Sequence, residues 1–286
     1  MLEARCAFCE TNLADTGQVC NDRPLAVGRC PACGLVQVSD KSHAVPAHYA
    51  ADGYFPEDIG DVLLREAPWN EKRVRLIRRH LQDAATRKAL DYGCGPGGFL
   101  RLAGSLFSNL TGFDLSPRMC RLHTDEGRAC VCRLEDVPEG IDTLLLFHVL
   151  EHMPEPWKNL EALLAFFPKV SRVVVEVPNT GELLNSRLDC PAYRQNHHSA
   201  DHLYYFTQTT LARVLERAGL FPVLATQHQR YTLANNLGWL AEGKGGGQHR
   251  HPQFNDAALN EAYERVLVEN GLADSLFVVA ACKVTA

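Results

Sequence analysis

The amino-acid sequence predicts an α/β protein: a mostly parallel sheet covered by helices on both faces, preceded by a small cysteine-rich module. Three observations carry this. From about residue 70 onward, short apolar runs alternate with longer helical segments, the pattern of parallel strands joined by crossover helices. Four cysteines near the N-terminus fall in two Cys-x-x-Cys pairs, Cys6/Cys9 and Cys30/Cys33. A glycine-rich stretch, Gly93-Cys94-Gly95-Pro96-Gly97-Gly98, lies where the first apolar run gives way to a helix.

Composition agrees. The 286 residues are 46% hydrophobic and 22% charged, enough for one large domain, or a domain and a small module, with a sizeable core. The formal net charge of −5 argues against a general binder of phosphate backbones, which usually presents a net basic surface. No run approaches the roughly 20 apolar residues of a membrane span. The first residues, Met-Leu-Glu-Ala-Arg-Cys, lack the basic and apolar regions of a secretory signal. Eleven cysteines, an odd number, point to thiols or metal ligands more than to a disulfide framework. The expectation is a soluble cytoplasmic protein with no membrane partner, and the charge speaks against a nucleic-acid one.

The two cysteine pairs open the chain. Zinc prefers four soft or borderline ligands in a tetrahedron, and two tight Cys-x-x-Cys turns supply them, here separated by twenty residues. Gly34 directly after the second pair suits the turn that follows such a knuckle. Four thiolates leave no open position, so a zinc held by Cys6, Cys9, Cys30 and Cys33 is expected to be structural. Cys20 stands apart without a close partner. Residues 1–40 thus read as a zinc ribbon. Residues 41–69, with Pro46, Gly53, Pro56 and several aromatics, read as a connector with little regular structure.

The main domain is expected over residues 70–286. It opens with a helix in which Val74, Ile77 and Leu81 recur on one face. Strands are expected at 89–93, 110–115, 129–134, 143–149 and 172–177, and helices at 98–108, 117–127 and 156–167. A helix at 207–218, a strand at 221–226 and a final strand at 276–284 follow. Between those two strands lies an insert, residues 227–273, holding Gly243-Lys244-Gly245-Gly246-Gly247. This run is not a P-loop, which needs a Ser or Thr after the Lys.

Glycines at a strand-to-helix turn let the backbone bend sharply and approach a ligand. Gly93, Gly95 and Gly98 also satisfy Gly-x-Gly-x-x-Gly, so a dinucleotide site has to be weighed. Asp91 separates the two readings. A carboxylate just before the loop repels a pyrophosphate but suits the ammonium end of a methionine moiety. The second strand ends in Gly112-Phe113-Asp114, where a carboxylate can take both hydroxyls of a ribose. Together these suit S-adenosylmethionine.

Asp91-Tyr92-Gly93-Cys94-Gly95-Pro96-Gly97 resembles motif I of class I S-adenosylmethionine-dependent methyltransferases, and Asp114 resembles their ribose acid. Leu134-Glu135-Asp136-Val137-Pro138 is similar to the segment that lines the adenine. Phe147-His148-Val149-Leu150-Glu151-His152-Met153 is similar to the fourth-strand motif of a large bacterial branch. The resemblance covers roughly residues 70–286. It implies the Rossmann-like seven-stranded sheet with its last strand antiparallel. It also implies a cofactor site formed by Asp91, Gly93, Gly95, Gly97, Asp114, Glu135 and Phe147.

Three polar clusters are expected near that cofactor. His148, Glu151 and His152 leave the fourth strand; His148-x-x-x-His152 invites a metal reading, but the pair straddles a strand end and not a helix face. Asp201-His202-Leu203-Tyr204-Tyr205-Phe206-Thr207 precedes a helix with Thr207 as its N-cap candidate. That segment resembles the Glu-His-x-x-Tyr-Phe-Ser stretch of sugar C-methyltransferases, which also begin with a four-cysteine zinc module. Asp201 stands where those enzymes have Glu, and the chain ends before their additional C-terminal domain. The resemblance makes His202, assisted by Asp201, the first candidate for a general base and His148 the second. Gln229-Arg230-Tyr231 with Asn235, Asn236 and Trp239 forms the third cluster, suited to a sugar or phosphate group.

The expected activity is transfer of a methyl group to a carbon or oxygen of a sugar, nucleotide-sugar or natural-product intermediate. Two rivals remain. An RNA base methyltransferase can also pair a zinc module with this fold, though no basic stretch interleaved with aromatics is present. A non-catalytic protein that holds cofactor while its ribbon docks a partner is disfavoured by the intact Asp91, glycines and Asp114.

Overall fold

Both cysteine knuckles close on a residue in the left-handed region, Glu10 (φ 62°) and Gly34 (φ 79°). The computed structural model describes residues 3–51 and 53–282; Lys283 and Val284, the expected end of the last strand, lie outside the described residues. Around the knuckles run three short antiparallel strands, β1 (Ala14–Val19), β2 (Ala26–Arg29) and β3 (Val36–Val38).

The expected connector is largely helical. It holds α1 (Pro46–Ala50) and the start of α2 (Ile59–His80), a helix of 22 residues. Asp58 caps α2 by accepting from the Gly60 N–H, and Arg78, Arg79 and His80 in its last turn suit the helix dipole. Pro68 inside it removes one internal hydrogen bond, whereas the irregular reading rests on Pro46, Gly53, Pro56 and the aromatics. Burial of Val62, Trp69, Asn70, Arg73, Val74 and Ile77 holds the helix through the proline, since tertiary packing outweighs propensity.

The chain then alternates as expected: β4 (Lys88–Tyr92), α3 (Gly98–Ala103), β5 (Asn109–Phe113), α4 (Pro117–Asp125), β6 (Cys130–Val131), β7 (Thr143–Phe147), α5 (Pro156–Phe166) and β8 (Arg172–Pro178). After α6 (Leu183–Ser186) and α7 (Pro191–His197) come β9 (Tyr204–Tyr205), α8 (Gln208–Arg217) and β10 (Leu220–His228). The expected insert folds into α9 (Leu233–Glu242), α10 (Gly247–Arg250) and α11 (Ala257–Glu269), and β11 (Ser275–Cys282) ends the described chain. Several expected elements shorten: the strand at 129–134 keeps only Cys130–Val131, and the helix at 98–108 stops at Ala103.

Seven strands form one sheet in the order β10-β11-β8-β7-β4-β5-β6. Strands β4 to β8 are parallel, and β11 runs antiparallel between β8 and β10. This is the sheet the resemblance implied. Every residue of β7 is buried because helices cover both faces. Alternate residues supply the two cores: Leu144 and Leu146 pack with Trp157 and Val175 on one side, Leu145 and Phe147 with Ile77 and Phe277 on the other.

The ribbon is fused to this domain. Strand β9 joins the small sheet by pairing with β3, Val36 opposite Tyr205 and Gln37 opposite Tyr204. Arg217 of α8 lies over the rings of Phe8 and Trp157 at 4.9 and 4.8 Å, and Asp22 accepts from the Ser199 hydroxyl and the Ala200 N–H. Val27, Leu35 and Val38 of the ribbon belong to the same core as Leu144 and Trp157.

Candidate functional site

Strand β4 ends at the centre of the sheet, with Asp91 flanked by Gly112 of β5 and Leu145 of β7. Past its carboxyl end the chain makes three left-handed glycines, Gly93, Gly95 and Gly97 (φ 76°, 51° and 74°). A Cβ on Gly97 would stand 1.9 Å from the His123 ring, and one on Gly93 would stand 2.6 Å from Val149. The loop is therefore bare backbone by steric necessity. His123, on α4, donates from Nε2 to the Gly95 carbonyl at 2.9 Å. The Gly95 N–H in turn donates to Asp114 Oδ2 at 2.8 Å, and the Ser116 N–H to Oδ1 at 2.9 Å. Asp114 is thus fixed in place with lone pairs to spare. Asp91 makes no side-chain hydrogen bond among the described residues; burial pushes its carboxyl up to about 7 against the pull of Arg73. A bare loop, a pinned acid and a buried acid without a partner form a donor set that fits the ammonium and ribose groups of S-adenosylmethionine.

Beside the loop, a buried charge network crosses from α2 to β8. Glu176 takes Arg73 at two points, Nε to Oε2 at 2.9 Å and Nη2 to Oε1 at 2.8 Å. His228 Nε2 lies 3.3 Å from Oε2, and His148 Nε2 lies 2.9 Å from Oε1. Burial opposes ionisation of Glu176, but Arg73, with His228 and His148, holds the carboxyl well below the usual range. His148 also reaches Glu151 Oε1 from Nδ1 (3.2 Å) and lies 2.8 Å from Arg230 Nη1. Its backbone is left-handed (φ 56°), a conformation costing a non-glycine residue about 1 kcal/mol or more; the expected strand therefore stops at Phe147. Arg73 and Glu176 escape sequence reading. Arg73 sits among other basic residues of a helix, but a single carboxylate inside the apolar run of β8 was a signal, because a buried charge has to be paired.

A cleft of about 1210 Å³ extends from this network. Asp91, Gly93, Gly95, Gly97, Asp114, Phe147, His148 and His202 all line it. Glu135 does not: its side chain is 64% exposed, 3.5 Å from Arg133, and the neighbouring Leu134 faces the cleft in its place.

The expected Asp201–His202 pair is not formed. The Asp201 carboxylate is taken by His48 Nε2 at 2.9 Å, and its carbonyl accepts from His152 Nδ1 at 2.8 Å. A partner from α1, a segment read as irregular, draws the acid away from its neighbour. His202 packs edge-on to His152, ring centroids 4.9 Å apart. Burial and His152 together push His202 down to about 4, against the weaker pull of Glu151. Burial opposes ionisation of Glu151, but His148, with the fields of His152 and His202, carries its carboxyl down to about 2.

The insert closes the far wall of the cleft. Arg230 stacks over the Trp69 ring at 4.0 Å, and Trp69 Nε1 donates to the Arg230 carbonyl at 3.0 Å. Asp274 anchors the turn by accepting from the backbone N–H groups of Arg230 and Tyr231. Arg230 Nε is buried without a hydrogen-bond partner among the described residues.

In the ribbon, Cys6 Sγ lies 3.6 Å from Cys33 Sγ and Cys9 Sγ 3.3 Å from Cys30 Sγ. One sulfur from each of the four lies within 4.8 Å of the others, and Cys20 is not among them. Zinc–sulfur bonds of about 2.3 Å in a tetrahedron place sulfurs roughly 3.8 Å apart, so the four thiols fit a zinc ion.

A family model described as a methyltransferase domain matches residues 53–225. Among solved structures, a SAM-dependent methyltransferase from Archaeoglobus fulgidus is 21% identical, with 78% of this chain and 100% of that chain covered and a TM-score of 0.49. Magnesium protoporphyrin IX methyltransferase from Synechocystis PCC 6803 with bound SAM is 11% identical over 85% and 98% of the two chains, TM-score 0.48. Geranyl diphosphate C-methyltransferase from Streptomyces coelicolor A3(2) is 14% identical over 74% and 76%, TM-score 0.44. Comparison with curated proteins gives no match. The family match spans more than half of the chain and contains the glycine loop, both acids and the His148–His152 turn: the chain belongs to the methyltransferase domain family and is an S-adenosylmethionine-dependent methyltransferase.

Proposed function

We propose that the protein methylates a carbon or oxygen of a sugar, nucleotide-sugar or natural-product intermediate, with the acceptor held between His202 and the insert. The observation that carries this reading is Arg230. Its guanidinium is stacked on Trp69 and keeps a buried Nε unpartnered among the described residues, and Asn235 and Trp239 line the same cleft. A planar cation with aromatics and amides suits hydroxyls and phosphate oxygens.

When bound, S-adenosylmethionine supplies a methyl group already activated on a sulfonium. The protein's task is then alignment and exclusion of water. In this proposal Asp91 receives the ammonium, Asp114 the ribose hydroxyls, and Leu134 and Phe113 flank the base. His202, held neutral, turns an uncommitted lone pair toward the acceptor's reacting atom, and Asp201 serves to fix the α1 segment through His48. The four-cysteine zinc holds the ribbon and takes no part in the chemistry.

The test is a transfer assay with methyl-labelled cofactor against nucleotide-sugars, free sugars and structured RNA. Label in a small-molecule fraction is the expected result; label in RNA alone would overturn the assignment. Cofactor binding gives a second check. A carboxyl at about 7 is half protonated near neutrality and cannot then hold an ammonium. Affinity for S-adenosylmethionine should therefore weaken as pH falls from 8 to 6, approaching about tenfold per pH unit below 7. Calorimetry on Asp91→Asn should show weaker binding without that slope.

A further inference from the structure

Glu151, His152 and His202 converge on the acceptor side of the cleft from two segments, the turn after β7 and the turn before β9. One carboxylate oxygen and one nitrogen from each ring lie within 4.8 Å of one another. Glu151 is fully buried, yet its Oε2 has no hydrogen-bond partner among the described residues, while Oε1 is taken by His148. A buried carboxylate oxygen left unpaired is costly, and a compensating cation removes that cost. His152 donates its Nδ1–H to the Asp201 carbonyl; a carbonyl can only accept, so the proton is on Nδ1 and the Nε2 lone pair is presented outward. A backbone carbonyl behind the ring is the usual support of a metal-bound histidine. His202 makes no hydrogen bond through either ring nitrogen among the described residues, and both rings line the cleft.

We propose that these three side chains bind one divalent first-row transition cation. A carboxylate with two imidazoles suits manganese, iron, cobalt, nickel or zinc, whereas magnesium and calcium prefer oxygen ligands throughout. This is not the His148-x-x-x-His152 pairing of the sequence, because His148 is engaged by Glu176, Glu151 and Arg230. Three protein ligands leave positions open toward the cleft, unlike the closed four-thiolate site of the ribbon. The inference rests on reading that side of the cleft as the acceptor site, where neighbouring oxygens of an acceptor would complete the coordination.

The experiment is a titration of the zinc-loaded protein with Mn2+, followed by the loss of the free-ion paramagnetic signal. Thiolate sites bind Mn2+ poorly, so the ribbon is silent. One saturable Mn2+ per chain is expected, with affinity lowered about tenfold or more in His202→Ala and in His152→Ala. Glu151→Gln should behave likewise; because Glu151 is buried and its variant can fail to fold, the two histidine variants carry the test, with retained S-adenosylmethionine binding as the folding control. Absence of saturable binding, or equal binding in the variants, overturns the proposal. The readout needs neither acceptor nor turnover. A variant that loses Mn2+ but methylates normally supports the cation site and overturns the acceptor reading, whereas one that methylates poorly while the parent binds no cation does the reverse.

Discussion

Changing His202 to alanine is expected to lower methyl-transfer turnover by about 10²–10⁴-fold while affinity for S-adenosylmethionine stays near the parent value. The two effects separate because of where the residue stands. His202 lines the cleft and packs on His152, on the side proposed for the acceptor, whereas the contacts proposed for the cofactor come from the glycine loop, Asp91 and Asp114. Whether its lone pair meets the acceptor directly or through a cation, alanine removes it. Steady-state kinetics beside calorimetry would show a fall in kcat with an unchanged dissociation constant. Near-normal turnover would reduce His202 to a packing residue. Asp201→Asn should act differently, since the carboxylate serves His48; its effect should fall on the α1 segment more than on the chemistry.

Glu176→Gln is expected to cost about 3–5 kcal/mol of folding stability. The amide has nearly the same shape, so packing is kept, but the Arg73 guanidinium is left buried without its counter-charge. Denaturant unfolding of the zinc-loaded protein measures the loss. Its pH dependence follows from the depressed carboxyl of Glu176. Such a group adds stability above the ordinary carboxyl range, and that contribution is lost as pH falls through the folded value. The gap between parent and variant should therefore narrow in acid. A gap that stays constant with pH would place the effect in packing.

The main sheet was legible because it obeys local rules. Buried parallel strands read as unbroken apolar runs, and Gly93, Gly95 and Gly97 occupy backbone positions that a side chain cannot take. Asp91 and Asp114 are legible for the same reason, as acids at the ends of two such strands. What escaped depends on partners distant in sequence. The helix through Pro68 is held by buried Trp69, Arg73 and Ile77, which propensity does not register. Asp201 next to His202 looked like a pair, but direction is set by the fold, and His48 from a supposedly irregular stretch claims the acid. Glu135 and Leu134 differ by one position, and only the backbone of their turn decides which side chain faces inward.

The pairing of β3 with β9 bears on where this chain can be cut. By motif, the zinc module ends near residue 40, and the family match starts at residue 53, so removing the first forty residues looks harmless. Yet Val36 and Gln37 supply the backbone partners of Tyr205 and Tyr204, three and two residues past His202. A chain starting at residue 41 would leave that strand as a bare edge with unmet hydrogen bonds, open to pairing with a second molecule. It would also strip the cover from Trp157 and Tyr204. The four-cysteine segment thus behaves as a missing wall of the catalytic domain, supplied from the other end of the sequence. Grafting it between relatives should succeed only when the β9 segment travels with it.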